Sequence, residues 1–536
     1  MKKFLSLIMV ICVMLSFASF AEVPAEIENG VYKTGLVIAA EPITLRIAVA
    51  RHTGDQSTSY NAKPFVTKSV AETGLNFEFI EMTTDVEVQL STMLASGDDM
   101  PDIFLCSLGN LYEKNMGLFA DLSGMLEEWA PTVVDYYNSF GVNWDDLTED
   151  DGSIRRLLTG MYSNPGNVPG NLMYIRTDWL ENLGLEMPTT LDEFYDVLVA
   201  FKEEDANGDG DPDNELPLDF LAGNNLMRWA IPFGVGGISD DTHYIVKDGV
   251  VEPTVNTAAY RAFLEFFHQL YVEGLVNPEG FTQTGDQYNA NVKSKLVGCY
   301  AAWSPHGFWG TVPDALECYP LPVLASDEYE YLFPSNNPIN MQFGFQISEN
   351  SKHKEAALRW WDYLSSEEMR WLTGRGPEGL CWEFAEDGVT HQVHTYTEED
   401  ALRIFEEYGM EGFDWTMPGA AFYMDSWFPV IDTNTSYAPP AEGEVMVQGW
   451  MRKLGQDAIG EENFSDWMSN YIIPADVTEK LAFATEGLTD FIYAYRAEAI
   501  INGVTDENWD AYVAELEAYG YDYYIEVYQA KLDNNF

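Results

Sequence analysis

ITLRIAV at 43–49, LNFEF at 75–79 and PDIFL at 101–105 are the runs whose reading decides the fold. Ile43, Leu45, Ile47 and Val49 fall on alternate positions, the period of a strand with one buried face. Leu75, Phe77 and Phe79 repeat that period. A helix is expected between these two runs, and after them the spacing of Val86, Leu90 and Met93 becomes helical until Ser96-Gly97-Asp98 stops it. Strand, helix, strand, helix, strand means a parallel sheet with helices on its faces. Ligands of such sheets bind beyond the carboxyl ends of the strands. That edge holds Asp55 and Tyr60 after the first strand and Ser107 and Asn110 after the third, and these four are candidate ligand-binding residues.

Further along, DANGDGDPDNELP at 205–217 crowds carboxylates into one turn-rich segment. Such a loop repels itself unless compensated, and a hard cation is the economical remedy. An EF-hand loop wraps Ca2+ with oxygen donors at alternate positions and a glycine at the sixth. Counting Asp205 as first, Asn207 is third, Asp209 fifth, Gly210 sixth, Asp211 seventh and Asp213 ninth. Leu216 stands twelfth, where the EF-hand has its bidentate Glu, and Glu215 can replace it in a tighter loop. The expected ligands of a structural Ca2+ are therefore Asp205, Asn207, Asp209, Asp211, Asp213 and Glu215; the alternative is a solvated acidic turn. Thr190-Leu191-Asp192-Glu193 is a capping box, and Leu191, Phe194, Leu198 and Phe201 mark the buried face of the helix that delivers the chain into this loop.

The length of 536 residues suits two or more lobes. With 28 basic against 87 acidic residues the net charge is −59, which argues against nucleic acid and anionic membrane surfaces as partners. Residues 1–21 have the form of a signal peptide: Lys2 and Lys3, an apolar run from Phe4 to Phe20, then Ser19 and Ala21 as the small residues of a cleavage site. No second long apolar run follows, so a secreted or cell-surface protein is expected. Cys12 sits inside the apolar run and makes a poor lipidation site. Cys106, Cys299, Cys318 and Cys381 are too few and scattered for a disulfide framework and are read as buried thiols. Residues 22–42 are read as a flexible leader.

SGDDMPDIF at 96–104, YIRTDWLENLGLEMPTTLDEFYDVLVAFKEEDANGDGDPDNELPL at 174–218, ISENSKHKEAALRWWDYLSSEEM at 347–369 and GPEGLCWEF at 376–384 together resemble the family 1 extracellular solute-binding proteins of ABC importers. The likeness is to the long, oligosaccharide-binding branch with a calcium loop. It implies an α/β, two-lobe periplasmic-binding-protein-like fold of type II, with parallel-type sheets flanked by helices and extra C-terminal helices. Lobe 1 would comprise 43–172 and 343–375; lobe 2 would comprise 173–342 and 376–536, with the calcium loop at 205–215. It further implies a monomer that binds an oligosaccharide in the inter-lobe cleft by hinge closure and delivers it to the transmembrane permease subunits. Two features depart from the branch: Asn214 separates Asp213 from Glu215, and no lipid-attachment cysteine is evident.

A sugar pocket combines aromatic rings, which pack on C–H faces, with convergent polar groups. The candidates are Trp229, then Trp303 and His306 in one loop, Trp382 with Glu383 in another, and Tyr423 with Trp427 in a third. Trp360, Trp361 and Trp371 have helical spacing and are assigned to the core. No Gly-x-Ser-x-Gly and no His-Glu-x-x-His occurs, and His391 and His394 lie in a polar stretch without an acid at zinc spacing, so they are read as surface residues. The chain is read as a receptor and not an enzyme. The alternatives are a secreted carbohydrate-active enzyme, or a receptor for peptides or another solute on the same fold.

Overall fold

The structure is a computed structural model that describes residues 27–51, 59–97, 99–149, 151–163, 172–211, 213–237, 239–302, 317–335, 339–379, 382–393, 396–397, 435–437, 444–445, 448–469 and 473–536. The chain forms two compact units and passes between them at 158/159, 342/343 and 373/374. The first of these crossings lies earlier in the chain than the 172/173 boundary expected from the sequence. The strands used below are, in chain order, β1 (Ile27–Glu28), β2 (Val31–Tyr32), β3 (Ile43–Ala50), β4 (Leu75–Met82), β5 (Ile103–Leu105), β6 (Leu157–Ser163), β7 (Leu172–Arg176), β8 (Leu216–Leu218), β9 (Tyr244–Lys247), β10 (Val250–Pro253), β11 (Val297–Ala302), β12 (Cys318–Pro320) and β13 (Ile339–Ile347).

Unit 1 is built on a sheet of order β4-β3-β5-β13-β6. β3 runs parallel to β4, with Ile43 opposite Leu75 and Ala50 opposite Met82, and parallel to β5, with Val49 opposite Leu105. β13 lies antiparallel beyond β5, and β6 forms the edge beyond it. Trp360, wholly buried on the helix Lys354–Leu364, packs 4.9 Å from Phe77 and donates its indole N–H to Ser69 Oγ at 3.1 Å. Trp361 stacks on Phe345 at 4.3 Å, and Trp371 is buried too, as their helical spacing predicts. Asp362 on the same helix accepts from the backbone N–H of Thr132 at 2.6 Å and Val133 at 3.2 Å, which satisfies free amides at the start of the helix Pro131–Phe140.

The expected flexible leader is in fact folded from residue 27 onward. β1 and β2 pair, Val31 and Ile38 are buried, and the Ile38 N–H donates to the Thr73 carbonyl at 2.8 Å. Arg359 donates to the Tyr32 and Gly35 carbonyls, at 3.3 and 2.5 Å. Its apolar residues are too few for a periodic signal, so only tertiary contacts reveal the arm.

Unit 2 has a sheet of order β12-β7-β11-β8. Here the parallel pairing is confined to β8 with β11, while β7 lies antiparallel to both β11 and β12. The sheet is therefore mixed. The helix Leu191–Glu203 packs on it through Phe201, made possible by Gly298: a Cβ there would lie 2.5 Å from the Phe201 ring and 2.9 Å from the Pro217 carbonyl oxygen. Thr190 caps this helix by accepting from Glu193 N, but the Glu193 carboxylate reaches Thr189 rather than Thr190. Cys106, Cys299 and Cys318 are buried and free; Cys381 lies outside the described residues.

Three helices close unit 2: Leu488–Asn502 packs along the helix Ala258–Val272, and Tyr521–Leu532 packs on β10 and on Asp506–Ala518. The helix Ala475–Ala484 precedes them and is separated from Leu488–Asn502 by a turn at Gly487, whose φ of 81° is left-handed. Arg496 donates to Tyr260 OH at 2.9 Å, and Tyr521 OH donates to the His243 carbonyl at 2.6 Å. The His243 ring is buried, with Nε2 3.2 Å from Thr489 Oγ1. Among the described residues no helix is long and apolar enough to cross a membrane.

Two outcomes follow from this packing. Trp360→Ala should destabilise unit 1 by about 3–5 kcal/mol in denaturant unfolding, while Phe483→Ser in unit 2, on a side chain 82% exposed, should change the stability of that unit by less than about 0.5 kcal/mol. Burial, with the nearby Arg496 charge, lowers the His243 pKa from 6.5 to about 3, so the fold requires the neutral ring. Its contribution is fully present above the unfolded pKa of about 6.5 and is lost as pH falls toward about 3. Melting temperature against pH should therefore decline over that window, and His243→Gln should flatten the decline.

Candidate functional site

The parallel pairing of β3, β4 and β5 brings their carboxyl ends to one edge of unit 1. Arg51 leaves β3 with its N–H donating to the Met82 carbonyl at 2.9 Å, and its Nη1 donates to Glu81 Oε2 at 2.9 Å. Glu81 Oε1 accepts from the Tyr60 N–H at 3.0 Å and lies 3.5 Å from Ser59 Oγ. Ser107 and Asn110 are exposed where the chain leaves β5, and Asn110 opens a short helix after Gly109. The Tyr60 side chain is not at this surface. Its ring is wholly buried, 4.7 Å from Phe79 and 5.9 Å from Phe65, with the Lys63 ammonium 5.0 Å from the ring centre. Asp55 lies outside the described residues.

Glu81 was not among the sequence candidates, and one signal could have found it. Residues 75, 77 and 79 are apolar at alternate positions of β4; Glu81 continues that alternation with a carboxylate, opposite Val49 and so two residues short of Arg51.

In unit 2 the corresponding edge lies past β8 and β11. Asp219 follows β8 and is wholly buried. Its carboxylate accepts from Phe220 N at 2.8 Å, Asn277 Nδ2 at 2.9 Å, Gln283 Nε2 at 2.8 Å and Asn291 Nδ2 at 3.1 Å. Burial raises its pKa, against the pull of these four donors. At the end of β11 the Ala301 carbonyl accepts from Tyr288 OH at 2.8 Å and Asn225 Nδ2 at 3.2 Å. A polar framework of amides thus fixes the exits of both strands. Trp303 and His306, next along the chain, lie outside the described residues, as do Tyr423 and Trp427.

Two candidate rings prove to be core. Trp229 is buried and lies nearly parallel to Phe194, their centres 5.9 Å apart. Trp382 is buried with its indole N–H donating to the Gly376 carbonyl at 2.9 Å, packed 5.0 Å from His391 and 5.5 Å from Phe384. His391 is consequently buried and not a surface residue, because it faces Phe384 across an antiparallel pair. Glu383, on the opposite side of that strand, is exposed.

The acidic loop turns as the spacing suggests. Asn207 Oδ1 accepts from Asp209 N at 2.8 Å, Asp209 Oδ1 from Asp211 N at 2.9 Å and Asp205 Oδ2 from Gly210 N at 3.0 Å. Gly210 has φ +93°, the sharp turn reserved for glycine at the sixth position. The additional Asn214 is absorbed inside the loop, donating to Asp209 Oδ2 at 2.9 Å and accepting from Asn207 Nδ2 at 2.9 Å. Glu215 is only 5% exposed and turns inward, where Oε1 accepts weakly from Asn207 N at 3.4 Å. Asp205 Oδ1 and Glu215 Oε2 are buried with no hydrogen-bond donor. Such oxygens are costly to bury unless a cation or donor meets them. Among the described residues no three acidic, His or Cys side chains are already gathered around one point, so the loop has the donors for a hard cation but not their final convergence.

With this geometry in hand the relatives are informative. The sequence profile of the bacterial extracellular solute-binding proteins matches residues 62–371. The fructooligosaccharide ABC transporter substrate-binding protein FusA of Streptococcus pneumoniae is 27% identical over 502 residues, covering 88% of this chain and 87% of that protein. The crystal structure of an extracellular solute-binding protein from Bifidobacterium longum subsp. infantis superposes with a TM-score of 0.71 at 20% identity, over 93% of this chain and 99% of that one. An EF-hand mutant of S. pneumoniae FusA in complex with fructo-nystose superposes with a TM-score of 0.69 at 22% identity, over 92% of this chain and 99% of that one. These likenesses establish the α/β two-lobe binding-protein fold.

The Asp219 hub can be tested directly. Asp219→Ala leaves several buried amides unpaired and should lower the stability of unit 2 by roughly 3 kcal/mol in denaturant unfolding.

Proposed function

The chain belongs to the bacterial extracellular solute-binding proteins, and we propose that it is the receptor that captures an oligosaccharide outside the cytoplasm and passes it to the permease of an ABC importer. The observation that carries this reading is the match to a fructooligosaccharide-binding relative along 88% of the chain. The strand edge of unit 1 presents fixed hydrogen-bonding groups, the kind of surface that orients sugar hydroxyls. Solute capture in this reading shifts the two units toward a closed arrangement, which the permease distinguishes from the empty receptor. The relative reported above is a binding protein, which favours a receptor over a carbohydrate-active enzyme. The signal-like residues 1–21 and the family's extracellular character support a secreted or surface-held protein.

We further propose that the loop 205–215 holds a structural Ca2+. Asp205, Asn207, Asp209, Asp211, Asp213 and Glu215 would supply its oxygens. The support is the pair of buried carboxylate oxygens without donors, the glycine at the sixth position and the inward turn of Glu215. The ion would neutralise the loop and join the end of helix Leu191–Glu203 to the start of β8.

A melt with a panel of oligosaccharides tests the receptor. A solute at about 100 times its dissociation constant should add about 2.7 kcal/mol of stability, with the sugar recovered intact; cleavage products would overturn the reading. Chelation should lower the melting point and Ca2+ restore it, and Glu215→Gln should shrink that response. An identical melt with and without chelator, in protein shown to be metal-free, would remove the calcium.

A further inference from the structure

The net charge of −59 leaves open whether a local arginine makes the receptor one for acidic sugars. Arginine is the residue suited to that task, because its planar fork matches a carboxylate with two hydrogen bonds. Arg51 stands at the carboxyl-end strand edge of unit 1, the edge at which sheets of this kind bind ligands, so its pairing bears on the question. It donates to Glu81 Oε2 at 2.9 Å, and Glu81 is itself fixed by the Tyr60 N–H at 3.0 Å. The pair is shielded but reachable, with side chains 12% and 24% exposed. Arg156, just before β6, is likewise taken: its guanidinium lies 4.2 Å from the Tyr112 ring centre and 3.4 Å from the carboxylates of Glu113 and Glu149. Arg228 is buried in unit 2, over the Phe333 ring.

We infer that the Arg51–Glu81 pair makes this receptor select neutral oligosaccharides and reject uronate oligomers, an inference that rests on the oligosaccharide-receptor reading. A carboxylate offers roughly four acceptor positions, and Tyr60 N, Ser59 Oγ and Arg51 occupy three of them at most. A sugar hydroxyl donates to what remains. A uronate brings a second carboxylate against Glu81, where like charges repel and the arginine fork is already turned to its partner. Glu81 is therefore the discriminating group, and Arg51 the group it holds in place.

The test is titration calorimetry of the full chain with neutral tri- and tetrasaccharides and with galacturonate oligomers of the same length. Wild type should bind a neutral sugar and no galacturonate. Glu81→Gln should weaken the neutral sugar on the order of tenfold and gain galacturonate binding, because the repelling carboxylate charge is gone. Arg51→Met should weaken the neutral sugar similarly and gain nothing. Apo melting curves of both variants establish that they are folded. Wild type that prefers galacturonate overturns the inference whatever the variants do, and so does a folded Glu81→Gln with unchanged selectivity; both leave the receptor reading intact. Wild type that binds no oligosaccharide at all overturns the receptor reading and the inference with it.

Discussion

Parallel strands cannot be joined by a tight turn, and much of unit 1 follows from that constraint. Pairing β3 with β4 and β5 in one direction obliges the chain to cross back each time, and the helices that do so bury the sheet faces. The same pairing collects the carboxyl ends of three strands, with the loops that leave them, on one side. Arg51, Glu81 and Ser107 meet at that edge because of strand direction and not because of proximity in sequence. In unit 2 only β8 and β11 obey the constraint, and their shared exit is where Asp219 and the Ala301 carbonyl are held by amides. The mixed sheet around them gains its other members by antiparallel pairing with β7.

A protein with 87 acidic residues must still settle the few it buries, and it uses several different partners. Asp362 caps a helix start and pairs with Arg359 at 3.1 Å. Asp240 accepts from the N–H of Gly223 and Met227, each at 2.9 Å, with Arg496 at 3.7 Å. Asp219 relies on amides without a cation. Asp205 and Glu215 differ from all of these: each keeps a buried oxygen with no donor, the partner that the proposed Ca2+ would supply. That contrast within one chain is the physical argument for the loop as a metal clip. Its place next to β8 makes it a support for the strand that leads to Asp219.

Much of this was legible in the sequence. Strand and helix periodicity revealed unit 1, the buried tryptophans at 360, 361 and 371 showed themselves by spacing, and the glycine register of the acidic loop anticipated the turn at Gly210. What escaped was tertiary in origin. The arm at 27–42 has too few apolar residues for a period, and its order comes from Arg359 and the Thr73 carbonyl. Tyr60, Trp229 and Trp382 carry the residue type of a sugar platform, yet their neighbours enclose them. Local sequence does not distinguish a ring on a surface from one beneath it. The mixed pairing in unit 2 was hidden for the same reason, since strand direction is decided by partners far along the chain.

The central claim is that this chain is an oligosaccharide receptor. The most direct measurement is equilibrium binding of the exported, calcium-loaded chain to a panel of neutral oligosaccharides, followed by mass spectrometry of the recovered solute. The account predicts saturable binding of one sugar per chain for a member of the panel, with its mass unchanged. Absence of binding across the panel by folded protein, or release of shortened sugar, would contradict it.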